Sequence, residues 1–395
     1  MSRKKRKHFK YKNFFLFILI TLLIIVLYLD GSLIFRYLVQ PKLKVNLGID
    51  AESKIVDPTV NEVSLVMVGD CLIHGAIYDD AENKTTGKYN FYKMVSNIKP
   101  VISKYDLAFY NQESILGGTS LGLSTYPTFN SPQEVGDAFI DAGFNLVSLA
   151  NNHTLDRGKK AIKSSIAYWK TKTNIMTAGS YESEIDRVTP KIMEKNGIKY
   201  TLLSYTTTTN GIAQPKDEPY LVNVYSPELV KADVERVKNK VDVILVAMHW
   251  GEEYTHTPNS EQREIAKYLA SLGVNIVIGH HPHVIQPIEF IGDTMVIYSL
   301  GNFIASQYGV EKLTGLVASV TIKKTTAFGN TNITLENPTV DLSYVYSVKS
   351  SYRYGYKMYM YSQLNNTLLK GYKDYYKKYT GIATSMSDKL KIKGL

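Results

Sequence analysis

Cysteine is nearly missing from this chain. Its 395 residues include one, Cys71, so no intrachain disulfide can form. Low cysteine use is the habit of reducing compartments, but the N-terminus argues against that setting, so the scarcity has another cause. Residues 1–12 contain no acidic side chain. The chain has no Gly-x-x-x-x-Gly-Lys-Ser/Thr loop, which excludes a P-loop nucleotide site. Internal repeats and long low-complexity stretches are also missing, so a solenoid or a disordered tract is not expected. Histidine is scarce as well, and its placement is informative. Of eight, three fall at His280, His281 and His283.

What the first 35 residues do contain is positive charge followed by apolar side chains. Arg3, Lys4, Lys5, Arg6, Lys7, Lys10 and Lys12 precede an almost purely apolar run from Phe14 to Leu29. Continued past Asp30 to Phe35, the run is long enough to cross a bilayer. The charge before it predicts a cytoplasmic N-terminus and an extracellular remainder, a single-pass protein of the cell membrane. A cleaved signal peptide would need a small-x-small site after the run. None is evident, so an uncleaved anchor is expected. Of the formal net charge of +10, seven charges sit in this tail, leaving +3 for everything else. The tail suits anionic lipid, and the near-neutral remainder gives no reason to expect nucleic-acid binding. The expected organisation is a basic tail (1–13), a transmembrane anchor (14–35), a linker (36–62), a main domain (63–325) and a C-terminal segment (326–395).

From Val63 the pattern alternates strands with helices, the mark of a largely βαβ sheet. Buried strands are predicted over Val63–Val68, Asp106–Tyr110, Asn145–Leu149, Ile198–Tyr205, Val241–Met248 and Val274–Ile278. Helices are predicted over Phe91–Ile102, from Ser131-Pro132-Gln133-Glu134 to Gly143, over Lys159–Lys172, from Ser226-Pro227-Glu228 to Lys240, and over Ser260–Leu272. Ser131 and Ser226 read as N-caps with proline at N1. Asn196-Gly197 is a strong hairpin signal. Thr206 to Thr209 is a polar run without an assigned role. After Thr314 short strands are expected, then a tyrosine-rich segment that suits a strand packed at a sheet edge, and a basic amphipathic helix in 368–395.

Polar residues crowd the ends of five predicted strands: Asp70, Glu113, Asn152 with His153, His249, and His281 with His283. Six of the eight histidines lie in these clusters. Neutral imidazole is the commonest metal ligand in proteins. Mixed carboxylate, amide and imidazole donors suit Mn, Fe or Zn better than Mg or Ca. One or two such ions would activate water and stabilise an oxyanion. In extended backbone His281 and His283 would project to the same side.

Together these motifs resemble the CapA family of capsule and poly-γ-glutamate synthesis proteins, whose domain is similar to calcineurin-like metallophosphoesterases. The resemblance rests on Val68-Gly69-Asp70, Asn111-Gln112-Glu113, Leu149-Ala150-Asn151-Asn152-His153 with Asp156 and Gly158, His249-Trp250-Gly251, Gly279-His280-His281-Pro282-His283 and Tyr298-Ser299-Leu300-Gly301-Asn302-Phe303. It covers about residues 63–305. It implies an α/β fold, a four-layer α/β/β/α sandwich of metallophosphoesterase type behind one N-terminal transmembrane helix. It implies metal ligands at Asp70, Glu113, Asn152, His249, His281 and His283. His153, aided by Asp156, would act as general acid or stabilise the transition state. Arg157 and Asn302 would meet an anionic substrate. Two departures stand out: the Asp-x-His usual in the first motif has Leu72 at its third position, with His74 nearest, and Glu113 stands where an Asp is usual.

Three functions follow from this reading. One is an accessory protein acting outside the membrane on nascent polymer, beside membrane subunits of a synthesis or export complex. Another is an extracellular phosphoesterase acting on phosphorylated envelope components. The third is a non-catalytic scaffold. Polymerisation itself would need a separate ATP-using enzyme.

Overall fold

Thr59–Cys71 (β1) is the strand on which the two halves of its sheet meet. Its last seven residues are all buried, as expected of a strand covered on both faces. A small hairpin, Glu82–Asn83 (β2) and Lys88–Tyr89 (β3), follows it. On one side of β1 run the parallel strands Leu107–Gln112 (β4), Leu146–Ser148 (β5) and Met176–Ala178 (β6).

A second sheet comes next in the chain. Its strands are Met193–Lys195 (β7), Ile198–Thr206 (β8), Val243–His249 (β9), Ile276–His280 (β10), Ile288–Ile291 (β11) and Thr294–Ile297 (β12), in the order β11-β12-β10-β9-β8-β7. The inner four are mutually parallel, while β7 and β11 are antiparallel edges.

The chain then returns to the first sheet. Asn302–Ile304 (β13) pairs with the end of β1, and Thr314–Ala327 (β14), Asn330–Val348 (β15) and Tyr354–Met360 (β16) extend the other side antiparallel. Lys391–Ile392 (β17) pairs with β15. The first sheet is therefore parallel on one side of β1 and antiparallel on the other, not βαβ throughout.

Residues 58–349 and 352–395 are described in the computed structural model, and they belong to one compact unit, Pro58–Leu395. The expected basic tail, the anchor and the linker as far as residue 57 lie outside the described residues. Among the described residues no helix is long and apolar enough to cross a membrane. The boundary expected at 325/326 falls within β14.

Strand alternation explains the layering. In β9, Val243, Leu245 and Ala247 join a core shared with Leu65 and Met67 of β1. The alternate residues Ile244, Val246 and Met248 pack on the opposite face. That face is covered by helices Pro227–Val237 and Ser260–Ser271, through Val230, Val234, Ile265 and Leu269. Helix Glu134–Asp141 covers the first sheet through Val135, Ala138 and Phe139. The order is helices, sheet, sheet, helices. Each fully buried Val, Leu, Ile or Phe contributes about 1.5–3 kcal/mol of transfer free energy.

Of the two expected caps, one forms, and a further cap was not foreseen. Ser226 Oγ accepts from the Leu229 amide at 3.1 Å, and Asn259 with Gln262 forms a capping box ahead of Ser260. Ser131 does not cap. Its hydroxyl donates to Ser114 Oγ at 3.0 Å, and the helix starts at Glu134. The stretch 91–102 is not one helix but two turns, Tyr92–Val95 and Lys99–Ile102. Pro100 lacks an amide hydrogen and disfavours helical backbone before it.

Of the strands after Thr314, β14 and β15 are long, not short as expected. β14 and β15 join through Phe328-Gly329, both at positive φ. Asn196-Gly197 makes the expected hairpin between β7 and β8, with φ of 48° and 77°. β16 forms an edge of its sheet, with Tyr356 buried against the core and Tyr354 exposed. Tyr372–Thr384 is the predicted C-terminal helix.

Candidate metal centre

Register brings the polar strand ends together. Asp70 on β1 pairs with Asn111 on β4 and with Asn302 on β13. His249 on β9 pairs with His280 on β10. Glu113 follows β4, and Asn152 and His153 follow β5. Two glycines permit the close approach. A Cβ on Gly69 would lie 1.8 Å from the Gly301 carbonyl oxygen, and one on Gly279 2.0 Å from that of Tyr298.

Asp70, Glu113, Asn152, His249, His281 and His283 are all buried, and they converge. Glu113 Oε1 lies 3.6 Å from His249 Nε2 and 3.7 Å from His283 Nε2. His249 Nε2 is 2.9 Å from Asn152 Oδ1. His283 Nδ1 is 3.4 Å from Asp70 Oδ2, and the rings of His249 and His281 are 4.7 Å apart. One expectation is overturned: His281 and His283 are not extended. Their φ values are 98° and 56°, in the left-handed region. The two rings still meet, at 6.0 Å, because the turn and not a strand aims them.

The electrostatics are those of a charged cluster in a dry place. Burial raises the Glu113 carboxyl well above the usual range, and the Asp70 charge adds to the rise. Burial would also raise Asp70, but the imidazoles of His280 and His283 hold it well below. Burial lowers His249 well below the ordinary imidazole value and His281 to about 4, so both are neutral donors near neutral pH. Burial acts to lower His283 too, but the neighbouring carboxylates push it up to about 9. A bound cation would offset the cost of burying the Glu113 carboxylate in this cluster.

Among the described residues, three groups of donor atoms, each lying within 4.8 Å of one another, could hold a metal ion: Glu113–His249–His281, Asp70–Glu113–His283 and Glu253–His281–His283. The first two share Glu113. Both Glu113 oxygens and His281 Nδ1 are buried without a hydrogen-bond partner. Buried polar atoms are normally satisfied, and a divalent ion satisfies donors of this kind. The residues present therefore fit the expected group. His283 Nδ1 lies 2.9 Å from Asn302 Oδ1, an arrangement that fixes the ring and leaves Nε2 toward Glu113.

The other expected residues are placed as follows. His153 Nδ1 donates to Asp156 Oδ2 at 2.8 Å, and that oxygen also accepts from the Phe129 amide at 2.7 Å. His153 adjoins the cluster through Asn152. Arg157 is exposed, and its guanidinium donates to Ser124 and to the Leu121 carbonyl. Asn302 is fully buried, and its amide donates to Gln307 and to the Lys312 carbonyl at 2.9 and 2.8 Å. It stands behind His283 as a support. His74 Nδ1 lies 3.0 Å from the Leu72 carbonyl oxygen and 3.2 Å from the Ser306 amide, which ties that nitrogen to backbone.

Several residues at the site had no role assigned from sequence, although Asn111 and His280 lie in the quoted motifs. Asn111 donates to Asp70 Oδ1 at 2.9 Å. His280 is fully buried, 3.3 Å from Asp70 Oδ1, with its ring stacked on Phe109. Asn210, in the unassigned threonine-rich loop, accepts from Asn152 Nδ2 at 3.2 Å. The signal for His280 was its neighbours; for Asn210 none was local.

The model of the bacterial capsule synthesis protein PGA_cap family matches residues 64–307. The PGA biosynthesis protein CapA of Bacillus subtilis (strain 168) is 33% identical over 169 residues, 42% of this chain and 44% of that one. The capsule biosynthesis protein CapA of Bacillus anthracis is 31% identical over 183 residues, 45% of this chain and 44% of that one. The match thus spans less than half the length of each relative. A solved 5'-nucleotidase from Candida albicans aligns over 68% of this chain and 52% of its own, with 15% identity and a TM-score of 0.39. With more than half of its length matched by the family model, the chain belongs to the bacterial capsule synthesis protein PGA_cap family.

Proposed function

We propose that this chain is a membrane-anchored, extracellular accessory protein of capsule or poly-γ-glutamate synthesis, with a metallophosphoesterase-type sandwich that binds one or two divalent ions. It acts on nascent anionic polymer beside membrane subunits of the synthesis or export complex. Family membership supports the setting, and residues 1–35 support the anchor. One observation carries the metal part: Glu113 is fully buried among His249, His283 and Asp70 with no donor to either oxygen.

Asp70, Glu113, Asn152, His249, His281 and His283 would hold the ions. Bound there, a divalent ion supplies an activated water and a counter-charge for a developing oxyanion. With Nδ1 committed to Asp156, His153 keeps Nε2 to give or take a proton at the substrate. Arg157, at the rim, adds positive charge for an anionic ligand. The His153–Asp156 pair also favours a second reading, an extracellular phosphoesterase of envelope components.

Elemental analysis of the full-length protein tests the proposal. At least one equivalent of Mn, Fe or Zn is expected, lost in His281→Ala/His283→Ala. No metal in either protein after reconstitution would refute it. With metal established, His153→Ala is expected to abolish turnover of γ-glutamyl polymer. If it abolishes only phosphoester turnover, the second reading holds.

A further inference from the structure

The loop after β9 carries a carboxylate outside the expected ligand set. Glu253 lies four residues past His249, in an exposed stretch. One of its oxygens and one nitrogen each of His281 and His283 lie within 4.8 Å of one another. Two imidazoles and one carboxylate are a donor set that Zn, Fe and Mn accept.

The backbone points to the same place independently. Tyr254, His281 and His283 have φ of 63°, 98° and 56°. Left-handed backbone at a residue other than glycine costs about 1–3 kcal/mol and persists where surrounding structure enforces it. Here the enforcement is visible. The Tyr254 amide donates to the Pro282 carbonyl at 2.7 Å, tying the Glu253 loop to the histidine turn. The Lys312 ammonium lies 4.6 Å from the centre of the Tyr254 ring, and that ring is 6.1 Å from His283. Tyr254 is half exposed, so core packing does not account for the strain. What the latch accomplishes is to hold Glu253 against the two imidazoles.

The chemistry of the buried part leaves room for it. Asp70–Glu113–His283 and Glu113–His249–His281 share Glu113 between them. No imidazole is added just after β1: position 72 is a buried leucine, and His74 belongs to none of the three donor groups. The Asp70–His283 side is therefore one donor poorer than the His249 side, which also has Asn152.

We propose that Glu253 is a ligand for a divalent cation on the solvent-facing side of the His281–His283 pair, completing the poorer half of the site. This rests on the reading of the cluster as a metal centre. It makes the centre unequal. The buried Glu113–His249–His281 half holds its ion tightly, and the half closed by exposed Glu253 exchanges its ion with solvent.

The test is a Mn²⁺ titration of the chelator-stripped full-length protein, read by calorimetry and by the electron paramagnetic resonance of free Mn²⁺. Wild type is expected to show a tight phase and a weaker one. Glu253→Ala and Glu253→Gln should keep the tight phase and weaken the other by about tenfold or more. Glu253→Asp should restore part of it. Glu252→Ala, which removes an adjacent exposed carboxylate, should titrate like wild type. Matching circular dichroism and melting of the stripped proteins would exclude a folding defect, and Glu253→Gln preserves side-chain size. Two phases unchanged in Glu253→Ala, a single phase unchanged in it, or an equal loss in Glu252→Ala would each overturn the role of Glu253 and leave the metal centre standing. No Mn²⁺ binding by wild type would overturn both.

Discussion

Glu113→Met should make the stripped protein more stable and the metal-loaded protein less so. Methionine has nearly the length of glutamate and carries no oxygens. In the wild type both Glu113 oxygens are fully buried and receive no hydrogen bond. An unsatisfied buried polar group costs about 1–3 kcal/mol, and more when charged. Removing it without opening a cavity should raise stability in EDTA by about that amount. In a domain of this size that is a rise of a few degrees in melting temperature. The order then reverses on adding metal. An ion at a hundred times its dissociation constant stabilises the wild type by about 2.7 kcal/mol. The variant lacks the donor common to the two buried groups, so its gain should be small. The assay is thermal or urea denaturation of both proteins, once in EDTA and once in Mn²⁺ or Zn²⁺. A variant less stable than wild type in EDTA would show that Glu113 is not an uncompensated group. An equal metal-induced gain in both proteins would show that it is not a ligand.

Two further predictions concern the scaffold. Gly279→Ala should destabilise by about 3 kcal/mol, because its Cβ would lie 2.0 Å from the Tyr298 carbonyl oxygen and force β10 from β12; melting at the wild-type temperature would refute the close approach. Asp106→Asn should cost about 1 kcal/mol at pH 7. Burial tends to raise the Asp106 carboxyl, but the Ser64 amide and hydroxyl, Asn196 and Lys195 lower it on balance. Its stabilisation is present above the unfolded value of about 3.9 and fades as pH falls through the lower folded value. Urea curves at pH 7 and pH 3 should show the gap closing, and an equal gap at both would contradict the assignment.

The strand ends that carry the site were readable because each joins an apolar run to an unusual polar cluster. Asp70, Glu113, Asn152, His249, His281 and His283 announced themselves by residue type within a few positions of a strand. Helices were readable where the cap was local, as at Ser226. Where a hydroxyl had a distant partner, as Ser131 has in Ser114, the local rule failed. The length of β14 and β15 was hidden because their outer ends are half-buried or exposed and polar, Lys-Lys-Thr-Thr in β14 and Asn-Thr-Asn in β15. The left-handed turn at His281 and His283 has no glycine or asparagine to signal it. It depends on the Tyr254–Pro282 bond between separate loops. Asn210 and Glu253 reach the site through the same kind of long-range placement.

The direction of β1 has a consequence for where this chemistry takes place. Thr59 and Asp70 are eleven steps apart on one strand. At about 3.3 Å per residue this is roughly 35 Å. Any tether on the N-terminal side therefore joins the domain at the pole opposite the donors. Within the domain, β1 thus separates the end where the chain enters from the end where the donors gather.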